Sequence, residues 1–312
     1  MNTPQRTGAT AMLEDGHGRR ITHLRLAVHG GSGAHAPWLE HAELAQLCGV
    51  LARLGVGQVR LTGDEPLLRP GLAELAGRIS ALPGVHTLAL STDGRRLARH
   101  AVALRLAGVQ RLNVALGTLD AARYRQQEGV DALCDVLGGL RAARHAGFAP
   151  IKINCAVRAD TTEAALARML AWTRAGGFNL RLSDAGGYGS VHGAAALPAL
   201  AARLAERFGL IAALESRDSG PAHYWTAGER ARALGVINAR TRQHAEALNR
   251  VYMTPDGTLH LGAAAAHRLP LGAMLRAGAG EDELAECIVR GAAQRPRHPG
   301  LGTPPAALLR LA

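Results

Sequence analysis

Glu65 is the first residue whose type and placement could do chemistry. It sits in the stretch Val59-Arg60-Leu61-Thr62-Gly63-Asp64-Glu65-Pro66-Leu67-Leu68-Arg69. Val59 to Thr62 alternate as a strand does, Gly63 opens a turn and Pro66 stiffens it. The carboxylate is therefore expected at the carboxyl end of a β-strand, where α/β barrels carry their working groups. Taken alone, such a turn is an ordinary β-to-α connection. Thiol chemistry is sparsely provided: the four cysteines, Cys48, Cys134, Cys155 and Cys287, form no Cys-x-x-Cys pair and no metal-ligand spacing. All four are expected to be buried small hydrophobes. Among the 14 histidines, His29, His35 and His41 form one loose group and His244, His260 and His267 another. Neither has the tight spacing of a His-x3-His ligand pair, so no metal site is expected.

The formal charge of +11 attracts polyanions of any kind. No basic run is interleaved with aromatic residues, which favours a solvated basic surface over a nucleic-acid interface. Residues 1–20 are polar and Gly-rich, without the apolar segment of a signal peptide, and are expected to be disordered. No stretch approaches the length of a membrane span, so a soluble, cytoplasmic chain is expected.

The elements that must position Glu65 follow from periodicity. Strands are expected at 21–28, 58–62, 86–91, 111–116, 150–157 and 178–184, each followed by a helix or a Gly-rich loop. Helices are expected at 39–54, 72–81, 95–107, a broken one ending at 145, and 162–175. Six β-then-α units in succession imply a parallel sheet curled toward a barrel with helices outside. Beyond Asp184 the rhythm fails. A helix is expected at 198–207, an irregular polar stretch at 229–241, a hairpin at 250–261 turning at Pro255-Asp256-Gly257, and two short helices before a Pro-rich tail.

Several pieces in this order resemble the MoaA family, the radical S-adenosylmethionine GTP 3',8-cyclases of molybdenum-cofactor synthesis. They are Leu24-Arg25-Leu26, the Gly63-Asp64-Glu65-Pro66 turn, Ser91-Thr92-Asp93-Gly94, Arg111-Leu112-Asn113-Val114, Lys152-Ile153-Asn154, Leu180-Arg181-Leu182, and Asn249-Arg250 with Asp256-Gly257. The resemblance implies a partial (β/α)6 TIM-like barrel over 21–190 with a C-terminal region over 191–312. It also implies that Arg25, Arg60, Lys152, Arg181 and Arg250 hold the triphosphate of GTP. Gln58 and Tyr252 stand where the family has two further basic groups. Gly63, Glu65, Pro66 and Thr92 are what remains of the S-adenosylmethionine motif.

The departures are as informative. The family's Cys-x3-Cys-x2-Cys loop is His29-Gly30-Gly31-Ser32-Gly33-Ala34-His35-Ala36-Pro37 here, and Ala245, Leu248 and Gly262 stand where it has three further cysteines. Asp64 replaces a glycine, and Ala115 and Gly117 replace a serine and an aspartate. These differences set the expectation that both 4Fe–4S clusters and productive S-adenosylmethionine binding are lost, and that no catalytic residue remains. The first reading is thus a catalytically degenerate MoaA-like protein that binds nucleotide as a regulator, as a homodimer or beside an active cyclase. The alternatives are an active cyclase or cluster-independent enzyme and, third, a nucleic-acid-binding protein.

Overall fold

The computed structural model describes residues 12–30, 38–186, 192, 196–213, 223–228, 232–237, 249–262 and 267–295. Its centre is a run of parallel strands: β1 (His23–His29), β2 (Gln58–Gly63), β3 (Thr87–Thr92), β4 (Arg111–Ala115), β5 (Ile151–Arg158) and β6 (Phe178–Gly186). Between and after them lie α1 (His41–Arg53), α2 (Leu72–Ser80), α3 (Leu97–Leu106), α4 (Ala121–Glu128), α5 (Leu133–His145) and α6 (Glu163–Ala175). The six expected strands and their helices are all present, with ends shifted by a few residues.

Alternation decides which side chains meet the helices. Successive residues of a strand face opposite sides. Leu24, Leu26, Val59, Leu61, Leu88, Leu90, Leu112, Val114, Ile153, Leu180 and Leu182 are buried in one continuous apolar cluster with Leu44, Leu47, Leu75, Leu104, Leu140 and Leu170 of the helices. The intervening residues of the same strands, among them Arg25, Arg60, Ser91, Asn113, Lys152, Asn154 and Arg181, form the opposite, inner face. A strand buried among helices on one side and polar on the other reads as strict alternation, which is why these strands were legible.

The C-terminal region completes the sheet rather than standing apart from it. After α7 (Ala196–Arg207) come β7 (Ile211–Ala212), β8 (His223–Thr226) and β9 (Arg232–Ile237). β9 pairs parallel to β6, with Leu180 opposite Leu234, and β8 then pairs antiparallel to β9. On the other edge, β10 (Arg250–Met253) pairs parallel to β1, followed by the antiparallel β11 (Thr258–His260) and β12 (Arg268–Pro270). One 12-stranded sheet results, in the order β12-β11-β10-β1-β2-β3-β4-β5-β6-β9-β8-β7. A boundary near residue 190 therefore separates no sheet from another. Helices α8 (Leu271–Arg276) and α9 (Glu281–Ala293) pack back toward α1.

Three expectations are corrected. The stretch 229–241 contains a central strand, because Ala233, Leu234, Val236 and Ile237 are buried between β6 and β8. Residues 12–20 are ordered: Leu13 is buried and exchanges backbone hydrogen bonds with Leu54 and Ile21, and Asp15 holds Arg19 at 2.6 Å. Of the cysteines, only Cys48 and Cys155 are buried; Cys134 is exposed on α5 and Cys287 is half-buried on α9. The Pro-rich tail and the loop over 31–37 lie outside the described residues.

Candidate functional site

The turn that carries Glu65 is built as the sequence implies. Gly63 has φ of 130°, and a Cβ there would stand 2.1 Å from the His29 carbonyl oxygen, so only glycine lets β2 end so close to β1. Pro66 to Leu68 form one 3-10 turn. The Glu65 carboxylate is buried and accepts three hydrogen bonds: from Leu67 N at 2.9 Å, from the Thr92 hydroxyl at 2.8 Å and from Asp93 N at 2.7 Å. It therefore ties the end of β2 to the end of β3. Burial pushes its carboxyl up to about 7, Asp93 adds to the rise, and the three donors oppose it. Thr92 in turn accepts from Gly94 N at 3.0 Å.

Arg69 closes the same turn on the other side. Its buried guanidinium donates to the Val28 carbonyl at 2.9 Å and to the Leu39 carbonyl at 2.6 Å. Those carbonyls flank the β1–α1 loop, so one side chain fixes both ends of it. Sequence reading placed Arg69 at the edge of the turn and missed this role, because the partners are 41 and 30 residues away.

The five basic residues come from five strands. Arg25 and Arg60 are opposite one another across β1 and β2. Arg250 opens β10 opposite His23. Lys152 lies opposite Asn113, and Arg181 opposite Asn154. Arg60 shows how far the sheet curls. Its pKa is held well below the usual guanidinium value, first by burial and then by Arg25, Arg181 and Arg250. Arg181 is four strands away in the sheet order, so its influence on Arg60 acts across the lumen. The structure thus brings Arg25, Arg60, Arg181 and Arg250 into one electrostatic cluster. Lys152 joins through Tyr224, whose ring lies 6.0 Å from its ammonium, and Arg25 stacks over Tyr252 at 5.5 Å. Gly235 makes room for the first contact, since a Cβ there would meet the Tyr224 ring at 2.6 Å.

The five cations and the Glu65 turn lie at different depths. Arg25, Arg60, Lys152 and Arg250 belong to the first three residues of their strands, and Arg181 to the first half of β6. The cations therefore form a layer inside the barrel toward the amino ends of the strands. Gly63, Glu65, Pro66 and Thr92 occupy the carboxyl-end rim instead. On the same inner face stand Ser91, Asn113 and Asn154, with Asn113 opposite Lys152 and Asn154 opposite Arg181; all three are buried, and their Oγ, Nδ2 and Oδ1 atoms have no hydrogen-bond partner among the described residues. An unsatisfied buried polar atom is costly, so three on adjacent strands suit a polar ligand. They were missed from sequence, though the same two-residue alternation that marks Arg25 and Arg60 also marks them.

His23 was missed as well. It lies opposite Arg250 and Gln58 in the cationic layer, and its Nδ1 is 2.8 Å from the Thr22 hydroxyl. Burial and the charges of Arg250, Arg60 and Arg25 press its pKa down to about 3, against a smaller upward effect of Gln58.

A parallel sheet curled around a polar lumen, with a Gly-x-Glu-Pro turn at its rim, is the arrangement of a radical S-adenosylmethionine barrel. The profile of the Radical SAM superfamily matches residues 24–172. Among solved structures, Streptococcus suis SuiB bound to S-adenosylmethionine superposes with a TM-score of 0.61 over 91% of this chain and 66% of that one. At 11% identity this is a likeness of fold alone. The GTP 3',8-cyclase of Pseudomonas putida strain W619 is 33% identical over 299 residues, 89% of each chain, and that of Pseudomonas fluorescens strain Pf0-1 is 33% identical over 310 residues, 92% of this chain and 93% of its own. The chain belongs to the GTP 3',8-cyclase family.

That membership corrects the expectation that neither clusters nor S-adenosylmethionine are used. The superfamily match and the cyclase relatives imply 4Fe–4S clusters and S-adenosylmethionine, and the structure does not show their loss. The described cysteines do not by themselves fit a three-thiolate ligand set. Burial pushes the thiols of Cys48 and Cys155 up to about 12, which disfavours the thiolate a cluster needs, and Cys134 and Cys287 lie on separate helices. Among the described residues no three His, Cys, Asp or Glu side chains are grouped to hold a metal ion. His35, His244, Ala245 and Leu248 lie outside them.

Proposed function

We propose that this protein belongs to the molybdenum-cofactor branch of the cyclase family and binds the triphosphate of a nucleotide, GTP first, in the arginine layer. The observation that carries the reading is the convergence of Arg25, Arg181 and Arg250 on Arg60. Four like charges held in a poorly solvated lumen repel one another, and a polyanion turns that repulsion into attraction. Among the described residues Arg60 has no salt-bridge partner. Each charge-assisted hydrogen bond to phosphate contributes about 1.5–3 kcal/mol. Three or four support micromolar binding, about 8 kcal/mol, after the cost of association.

In the first form of this reading the protein binds nucleotide without turning it over, as a regulator or as the partner of an active cyclase. What favours it is the cysteine-free sequence of residues 29–37. In the second it is an active cyclase, which its relationship to the cyclases of Pseudomonas supports equally. Calorimetry with GTP, ATP and inorganic triphosphate tests the shared claim: micromolar binding is expected, and no binding at millimolar ligand overturns it. Anaerobic incubation of the reconstituted protein with GTP, S-adenosylmethionine and dithionite separates the two forms. A cyclised product from GTP selects the second.

A further inference from the structure

Building on the triphosphate reading, we propose that His23 is an additional phosphate-binding residue of the arginine layer, and that it takes up a proton when a polyphosphate binds.

The geometry is specific to this position. His23 stands two residues before Arg25 on β1 and therefore on the same face of the sheet. It is opposite Arg250 on β10 and opposite Gln58 on β2, with Arg60 one row further along. The groups facing it are thus Arg25 from its own strand, Gln58 and Arg60 from β2, and Arg250 from β10. All the charges in that set are positive. The Thr22 hydroxyl engages Nδ1 at 2.8 Å, which leaves Nε2 as the nitrogen for a ligand.

Without an anion this setting favours neutral imidazole, because three guanidinium groups and burial both oppose a fourth cation. A phosphate chain seated among Arg25, Arg60 and Arg250 reverses the sign of the local field. The imidazole, neutral with its proton at Nδ1 toward the Thr22 oxygen, then takes a proton at Nε2 from a hydronium ion of the solvent, whose O–H bond breaks as the N–H bond forms, and donates it in a hydrogen bond to a phosphate oxygen. The device supplies a further cation only when the anion is present. It spares the ligand-free barrel a permanent extra charge, and it makes affinity depend on pH. Gln58, whose side chain lies against the His23 ring in the ligand-free chain, gives up Nε2 to the phosphate oxygen, because the Thr22 hydroxyl occupies Nδ1.

The test is calorimetry of inorganic triphosphate and GTP, at pH 7.5 and pH 5.5, in two buffers that differ in ionisation enthalpy. The parent protein is compared with His23→Gln. Protonation of the phosphate chain itself is common to both proteins, so the difference between them reads His23. If bound His23 returns to its ordinary pKa of about 6.5, the ratio of parent to variant affinity grows about tenfold between pH 7.5 and pH 5.5. Buffer dependence then shows a proton uptake in the parent that the variant lacks. Histidine ring nitrogen spectra of the parent, recorded with and without triphosphate, give the same readout without a substitution: one neutral ring is expected to become imidazolium on binding. Equal proton uptake and equal pH dependence in the two proteins, with no ring changing state, overturn the role of His23 while leaving triphosphate binding intact. Absence of binding in both overturns the triphosphate reading and this inference with it.

Discussion

Arg60 on β2 and Arg181 on β6 lie on strands four places apart in the sheet, yet the charge of Arg181 lowers the pKa of Arg60 across the lumen. This relationship exists only because the sheet curls. The proposed binding of an anion in the inner layer rests on it.

Replacing Arg60 by methionine is therefore expected to act in opposite directions on two measurements. Triphosphate affinity should fall about tenfold or more, because a charge-assisted contact is lost. The ligand-free fold should gain about 1–2 kcal/mol, since a poorly solvated cation gives way to an apolar side chain of similar length. Denaturant unfolding and calorimetry on the same sample check both.

Lys152→Ala should weaken triphosphate binding by a similar factor, and added salt should weaken the parent further, because part of the attraction is screened. Titrations at two salt concentrations decide this. An affinity unmoved by both the substitution and salt would assign these cations to internal structure.

Acid should destabilise the ligand-free protein through His23. Its pKa is about 3 in the folded chain against 6.5 ordinarily. Between those values the unfolded chain carries a proton that the folded chain refuses. Stability thus falls as pH drops through this window, by at most about 1.4 kcal/mol per pH unit. Melting curves across the window should show a shallower slope for His23→Gln than for the parent.

Glu65 works in the opposite sense. Its carboxyl is raised from 4.5 to about 7, so between those values the folded state holds a proton that the unfolded chain has released. Stability is lost as pH rises through that window. Glu65→Ala should cost about 1–3 kcal/mol at pH 5, by leaving the buried N–H groups of Leu67 and Asp93 without an acceptor. The deficit should shrink toward pH 8, where the parent bears a buried carboxylate. Urea unfolding at the two pH values measures the difference.

Removing Arg69 should loosen the β1–α1 connection. Arg69→Leu deletes the donors to the Val28 and Leu39 carbonyls. Faster hydrogen exchange is expected at the end of β1 and the start of α1, with little change in β5 and β6.

Strong two-residue alternation made β1 through β6 visible in the sequence, and 3.6-residue periodicity made α1 through α6 visible. Both are local signals, set by one buried face per element. The Gly63 turn was legible for the same reason, since its geometry is decided within a few residues. β9 escaped because its short apolar run, Ala233 to Ile237 broken by Gly235, acquires meaning only between β6 and β8. The same limit applies to the site. The sequence by itself determined which residues carry charge and, through alternation, which face of each strand they occupy. Only the tertiary structure decided their depth in the barrel, the meeting of Arg60 with Arg181, the clamp that Arg69 places on the β1–α1 loop, and the enclosure of His23 by three arginines. Strand register and sheet curvature bring together residues more than a hundred positions apart, and no local pattern encodes a distance of that kind.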